Sequence, residues 1–312
     1  MSLIGPNLIG AACARSVSAF AASLPDVASG HVLECRLGEA GGICDYSFVL
    51  SRGNGGLDRF AAFVPEDPFW SQTAEVIRSA EGALVDAGLI WLEVDFGAKE
   101  PSRPSFFVSH GPDLRTRAER FDLARALAGV FDVSLRDALD TLMRKLPEPV
   151  APKQAGIMAG RSGRQLRLVL DGIKVSQVCA MLARIGWPGH ARSLVRVSDL
   201  ARQLAGDASC RVDLDLDERV APSVGLELGY PALTDPERVV RCLEAEGLCT
   251  PDTGSALHLA MSRRTLAKPR TGGRIDFGLN HLKLGLRSAA ADIQAKAYFS
   301  LVNLPDFQGN SV

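Results

Sequence analysis

The chain has 312 residues, of which 46% are hydrophobic and 23% charged, as in an ordinary globular protein with a hydrophobic core. Its 35 Lys and Arg residues almost balance 36 Asp and Glu residues, so the net charge is −1. This balance argues against a general nucleic-acid binder, which needs a basic surplus. The sequence contains no apolar run long enough for a membrane span, so we expect no membrane partner.

The N-terminal segment, residues 1–25, is apolar but lacks a basic leading stretch. It therefore predicts a first amphipathic helix rather than a signal peptide. The cysteines are odd in number and show neither CxxC pairs nor zinc-ligand spacing. They stand at positions 13, 35, 44, 179, 210, 242 and 249. We predict buried free thiols in the reducing environment of the cytoplasm.

The chain contains a pattern that occurs five times. In each copy, two short runs of alternating apolar and polar residues precede a run with helical periodicity. The predicted strand pairs are 44–50 with 58–64, 90–96 with 105–110, 155–160 with 164–171, 211–217 with 223–230, and 279–286 with 293–301. The predicted helices include 70–88, 113–130, 134–146, 174–186 and 198–206, and a further one begins near residue 234. We interpret 1–312 as a single domain with repeats at roughly 30–88, 89–146, 153–190, 193–248 and 250–312.

Each predicted strand has one apolar and one polar face, because successive side chains of a strand point to opposite sides. In 211–217, for example, Val and Leu alternate with Asp. Short connections indicate antiparallel hairpins. Two arrangements satisfy this pattern: open sheets with a polar face to solvent, or a closed barrel with outer helices and a polar lumen. Closure removes the sheet edges, so we favour an α+β fold with a ten-stranded antiparallel barrel.

This organisation resembles the ABBA-type aromatic prenyltransferases, whose five αββα repeats form such a barrel (the PT barrel). The resemblance covers about residues 30–302 and includes the strings WLEVDF in the second unit and AKAYF, with its Lys-x-Tyr, in the last strand. It implies a transferase that moves a prenyl group from an allylic diphosphate to an aromatic or peptide acceptor in the lumen. The strings WLEVD, VGLEL, LNHLKL and AKAYF also resemble an uncharacterised bacterial family, which implies no activity.

Under this resemblance, the polar strand faces supply the candidate site. A diphosphate needs several converging cationic donors. The candidates are Arg167, Arg211, Lys283 and Lys296, with Tyr298 as a neutral donor. Glu93 is the candidate catalytic residue, which would hydrogen-bond the acceptor or take its proton. The predicted lining residues are Trp91, Phe107, Gln165, Glu227 and His281. The alternative is that these side chains are surface charges paired across neighbouring strands.

Two features of the sequence argue against catalysis. The chain has only three Tyr and three Trp residues, and Trp91, Phe107 and Tyr298 make a thin aromatic lining for a carbocation. The carboxylates Asp95, Asp213, Asp215 and Glu227 would repel a diphosphate unless they pair with the cations or hold a metal ion. Asp213 and Asp215 share a strand face and are possible Mg²⁺ ligands, so we expect either no cofactor or Mg²⁺.

Three functional hypotheses therefore remain open. The first is the prenyltransferase, favoured by an open lumen lined by Arg167, Lys283, Lys296 and Tyr298. The second is a non-catalytic barrel that binds a peptide or protein as an accessory in a biosynthetic pathway, favoured by a plugged lumen or neutralised cations. The third is an unrelated α+β enzyme.

Overall fold

The structure is a computed structural model that describes most of the chain. The described residues are 7–24, 27–38, 43–53, 55–63, 70, 73, 77, 86–96, 104–110, 115–158, 165–262, 265–267, 274–287 and 292–304. The predicted helix at 70–88 lies largely outside these residues.

The described strands follow one another around a single sheet. They are β1 (Gly30–Arg36), β2 (Cys44–Ser51), β3 (Leu89–Asp95), β4 (Ser105–Ser109), β5 (Ala151–Ile157), β6 (Leu166–Lys174), β7 (Ser209–Leu216), β8 (Val220–Gly229), β9 (Thr265–Ala267), β10 (Arg274–Arg287) and β11 (Asp292–Leu304). The described α-helices are α1 (Ala11–Ser23), α2 (Gly56–Phe63), α3 (Arg117–Phe131), α4 (Val133–Lys145), α5 (Val178–Ile185), α6 (Ala191–Ala205), α7 (Pro236–Ala245) and α8 (Pro251–Ser262). None of these helices combines the length and the apolar character needed to span a bilayer.

The sheet closes into a barrel, as the sequence predicts. Strands β1 to β8 pair in chain order, β8 pairs with β10, β10 with β11, and β11 returns to β1. Every pairing is antiparallel. Ten described strands thus form a ring, and the short β9 adds to the extended end of β10. The expected α+β PT barrel is confirmed.

The first repeat differs from the prediction. Residues 58–64 were predicted as its second strand, but Gly56–Phe63 forms helix α2. The apolar pair Leu57 and Phe60, three residues apart, lies buried on one helical face, a spacing that suits a helix better than a strand. The strand that pairs with β2 lies earlier in the chain, at Gly30–Arg36.

The hydrophobic core lies between the outer face of the barrel and the helices. Its fully buried members include Phe48, Leu92, Val108, Leu168, Leu214, Leu226, Leu284 and Phe299 from the strands and Leu127, Leu139, Leu182, Leu204 and Leu243 from the helices. Four cysteines are buried and three, Cys13, Cys179 and Cys242, are partly exposed. Because the apolar alternate positions face the helices, the intervening polar positions face the lumen.

Candidate functional site

The lumen carries the polar alternate positions of the ten strands. The register places Lys283 opposite Glu227 on one side and Lys296 on the other. It places Glu34 opposite Tyr298 and Asp45. The sequence-predicted candidates on these lumen positions are Trp91, Glu93, Phe107, Arg167, Arg211, Asp213, Asp215, Glu227, His281, Lys283, Lys296 and Tyr298.

A cavity of about 670 Å³ occupies the end of the lumen at which β10 ends and β11 begins. This volume is within the range of small-molecule sites. Its cationic lining residues are Arg36, Arg167, Lys283, Arg287 and Lys296. Its carboxylates are Asp95, Asp213 and Asp215, and Gln165, Ser223 and Gln294 are also part of the wall. The cavity is therefore a polar site with a surplus of cations in its lining.

Arg167 of β6 forms a bidentate ion pair with Asp215 of β7. The distances from Nε and Nη2 to the carboxylate oxygens are 2.7 and 2.8 Å. Ser223 donates a further hydrogen bond to Asp215 over 2.9 Å. Burial alone would raise the pKa of Asp215, but the hydrogen bond and charge of Arg167 outweigh burial and lower it. Asp215 is therefore a carboxylate that holds Arg167 in place.

Lys283, whose side chain is 13% exposed, forms an ion pair with the buried Asp213. Burial and the charge of Glu227 raise the pKa of Asp213 to about 6, although Lys283 and Arg167 oppose that shift. Oδ1 of Asp213 has no hydrogen-bond partner among the described residues. The Lys283 side chain crosses the lumen position of Gly225, where a Cβ would come within 2.5 Å of its Cε atom. Glycine at that position thus allows Lys283 to reach Asp213.

Lys296 and Tyr298 both bind Glu34, a buried carboxylate of β1. The Lys296 ammonium donates to Oε1 and the Tyr298 hydroxyl donates to Oε2. Burial would raise the pKa of Glu34, but the charges of Lys296 and Lys283 and both hydrogen bonds lower it instead. Burial and Glu34 raise the pKa of Tyr298 well above its usual value, so Tyr298 remains a neutral donor.

Tyr298 and His281 stack in the lumen, with ring centroids 4.1 Å apart. Burial lowers the pKa of His281 to about 3, assisted by the charges of Arg211 and Lys283, so the imidazole is neutral. Its Nε2 lies 3.6 Å from Glu227, which also meets Arg211 at 3.4 Å. Among the described residues, the predicted site residues that are not part of the cavity lining are Trp91, Glu93, Phe107, Arg211, Glu227, His281 and Tyr298.

The remaining candidates divide between the cavity and the deeper lumen. Gln165 lines the cavity. Phe107 faces Gly156 of β5, where a Cβ would come within 2.2 Å of the ring, so Gly156 makes room for Phe107. Trp91 lies opposite Phe107, and its buried Nε1 has no described partner. Glu93 lies between Ser47 and Ser105 in the register.

Sequence reasoning missed four charged residues of this site: Glu34, Arg36, Asp45 and Arg287. Arg36 lines the cavity and lies 3.3 Å from Asp45, which also accepts a hydrogen bond from the backbone N–H of Phe96. Burial, together with Glu34 and Asp95, raises the pKa of Asp45 to about 8. For Glu34 and Arg36 the available signal was their alternation with Leu33 and Cys35, in a strand that was not predicted. Asp45 lies within the predicted strand 44–50, and Arg287 is one residue beyond the predicted strand 279–286.

A Mg²⁺ ion fits these residues poorly. Asp213 has one unpaired oxygen, but both oxygens of Asp215 already accept hydrogen bonds from Arg167 and Ser223. Across the described part of the chain, no group of three or more His, Cys, Asp or Glu side chains is placed to hold a metal ion.

Comparison with known proteins identifies the fold. No protein-family model matches the chain, and no curated protein matches it. Three solved structures of aromatic prenyltransferases are similar to it. PriB, in a binary complex with the product diphosphate, is 12% identical, with a TM-score of 0.59 over 97% of this chain and 91% of PriB. AnaPT from Neosartorya fischeri is 8% identical, with a TM-score of 0.55 over 90% of this chain and 79% of AnaPT.

NotF, in complex with brevianamide F and DMSPP, is 10% identical, with a TM-score of 0.51 over 86% of this chain and 79% of NotF. The similarity therefore extends over almost the whole barrel at very low sequence identity. The ring of ten antiparallel strands, its outer helices and these similarities together show that the chain has the ABBA prenyltransferase-like fold.

Proposed function

We propose that this protein is a prenyltransferase that binds an allylic diphosphate in the 670 Å³ cavity and transfers its prenyl group to an aromatic or peptide acceptor. The observation that carries the proposal is the convergence of Arg167, Lys283 and Lys296 on one cavity, from three different strands. Converging cations are what the oxygens of a diphosphate require. Two further cations, Arg36 and Arg287, line the same cavity.

The charge of the site supports anion binding despite its carboxylates. The lining has five cations and three carboxylates, and Asp45, which pairs with Arg36 behind the wall, has a pKa raised to about 8. The raised pKa of Asp45 weakens the negative charge beside Arg36 near neutral pH. A diphosphate at this position would meet a net positive surface.

The proposed reaction is an electrophilic substitution on the acceptor ring. The allylic C–O bond breaks and its electron pair leaves with the diphosphate, whose charge Arg167, Lys283 and Lys296 stabilise. The electron-rich ring of the acceptor attacks the allylic carbon, and the ring then loses a proton. Glu93 is the proposed acceptor of that proton. Trp91 and Phe107, which face each other on β3 and β4, form the proposed apolar wall beside the allylic cation.

A second candidate function is a non-catalytic barrel that binds a peptide or protein partner in a biosynthetic pathway. The observation that favours it is the pairing of the predicted cations with carboxylates: Arg167 with Asp215, Lys283 with Asp213, Lys296 with Glu34 and Arg211 with Glu227. A diphosphate must compete with these carboxylates for the same donors. If the cations stay paired with these carboxylates and no diphosphate binds, the lumen is a structural ion-pair network.

Calorimetric titration with dimethylallyl and geranyl diphosphate, with and without Mg²⁺, separates the two. Removing Arg167 alone would leave Asp215 buried and unpaired, so the informative variant is the double substitution Arg167→Gln with Asp215→Asn, which removes a cation and its partner together. The matched control is Arg241→Gln, because Arg241 forms an exposed ion pair with Glu237 on helix α7. We expect the wild type to bind with micromolar affinity. The affinity of the double variant should be about tenfold weaker or more, because one charge-assisted interaction is lost, and the affinity of the control should be unchanged.

The acceptor test uses aromatic amino acids and short peptides incubated with the bound donor. Transfer would appear as an acceptor mass increased by the prenyl group together with released diphosphate. Binding without transfer to any acceptor, or no binding of either donor, would favour the non-catalytic barrel. Binding that survives unchanged in the double variant would place the ligand outside this cavity.

A further inference from the structure

Two cysteines from distant parts of the sequence meet outside the barrel. Cys13 lies in helix α1 and Cys44 is the first residue of strand β2, and their sulfur atoms are 2.7 Å apart. The backbone N–H of Cys44 donates to the Cys13 sulfur over 3.3 Å. Neither residue takes part in the proposed transfer. Sulfur atoms this close need only a small shift to become bonded.

We propose that Cys13 and Cys44 are a redox modification site, at which a reversible disulfide locks helix α1 onto strand β2. The pair is independent of the proposed function, since neither cysteine lines the described cavity.

The surroundings of the two thiols assign their roles. Cys13 is partly exposed, whereas Cys44 is buried. The thiol and backbone N–H of Cys44, with a contribution from the charge of Arg36, lower the pKa of Cys13 to about 7 despite partial burial. The hydrogen bond to Cys13 and burial raise the pKa of Cys44. Cys13 is therefore the thiolate that meets an oxidant, and Cys44 is the resolving thiol.

The chemistry requires a hydroperoxide as oxidant. The Cys13 thiolate attacks one peroxide oxygen, the O–O bond breaks, and the leaving alkoxide or hydroxide takes a proton, which leaves Cys13 as a sulfenic acid. The Cys44 sulfur then attacks the Cys13 sulfur, so that the S–S bond forms and the S–O bond breaks. The hydroxyl group departs with the Cys44 proton as water. The two thiols supply the two electrons that reduce the peroxide.

The bond would fasten the helix that covers the first strands. Val17 of α1 is buried, and Phe20 packs edge-on against Tyr46 of β2 and Phe96. The cysteines are 31 positions apart, so the disulfide closes a loop of about that length and reduces the freedom of the unfolded chain. A loop of this length in a protein of this size corresponds to a rise in melting temperature of about 5 °C.

The test compares reduced protein with protein treated with hydrogen peroxide and then blocked with N-ethylmaleimide. Mass spectrometry of non-reduced tryptic peptides locates the cross-link, and thiol counting and thermal melting follow the same samples. The wild type and two variants are used: Cys13→Ser, which removes the reactive thiol, and Cys242→Ser, the matched control at another partly exposed cysteine.

We expect the free thiols of the wild type to fall from seven to five, with one cross-link joining Cys13 and Cys44. The melting temperature should rise on oxidation and return on addition of dithiothreitol. Cys242→Ser should behave likewise, and Cys13→Ser should form no cross-link at Cys44. Unchanged thiol content in the wild type, or a cross-link between other cysteines, would overturn the proposal, and neither result depends on the variants being folded.

Discussion

Substituting Lys296 by Met tests whether the buried Lys296–Glu34 pair holds the barrel together. The Lys296 side chain is 14% exposed and that of Glu34 5%, so removing the ammonium leaves a carboxylate with little access to water. Among the residues that the structure describes, the Tyr298 hydroxyl would be the remaining donor to Glu34. Breaking a buried pair on one side lowers the free energy of unfolding by about 3–5 kcal/mol. The double substitution Lys296→Met with Glu34→Gln should recover most of this loss, because it leaves no unpaired charge.

The pH dependence of the stability loss tests whether the unpaired Glu34 carboxylate causes it. In the wild type, the pKa of Glu34 is lowered, so its contribution to stability is present above its unfolded pKa near 4.5 and is lost as the pH falls below that value. In Lys296→Met, burial without the ammonium raises the pKa instead, and protonation relieves the unpaired charge. The loss caused by Lys296→Met should therefore be smaller at pH 5 than at pH 7.

Urea unfolding monitored by circular dichroism, at both pH values, measures these differences provided that the m-value is unchanged. Arg241→Met is the control, because its ion pair with Glu237 is mostly exposed and should contribute less than about 1 kcal/mol. A loss below about 1 kcal/mol for Lys296→Met, or an equal loss in the double variant, would refute the reasoning.

Three further substitutions test other parts of the lumen. Gly285→Phe should fill the cavity and abolish diphosphate binding in calorimetry. The melting temperature should change little, because a Cβ at this position meets nothing within 4 Å. Unchanged binding would place the ligand elsewhere. Gly156→Ala should lower the free energy of unfolding by about 1–3 kcal/mol, measured in urea, since its methyl group overlaps the Phe107 ring; a neutral effect would contradict that packing. The pKa of His281 is lowered to about 3, so the native state excludes a proton that the unfolded chain binds below pH 6.5, and stability should fall as the pH drops through that window. His281→Asn should reduce this slope by about 1.4 kcal/mol per pH unit, and an unchanged slope would show that His281 does not titrate on unfolding.

Much of the fold could be predicted from local patterns. The alternation of Leu with Asp in β7, for instance, correctly indicates a strand with one face on the helices and one on the lumen. The first repeat could not be resolved in this way. Residues 60–64 are a continuous apolar run, which is compatible with a short strand or a helix. The burial of Leu57 and Phe60 on one helical face in the core decided for the helix.

Side-chain alternation is a local property, and the sequence by itself therefore determined the strands after the first repeat, the polar character of the lumen and most of the side chains that face it. The partners of those side chains depend on register and closure, which join residues far apart in the chain. Lys296 meets Glu34 across 262 positions, and only the pairing of β11 with β1 brings them together. For this reason, only the tertiary structure decided which cations of the lumen form ion pairs with carboxylates.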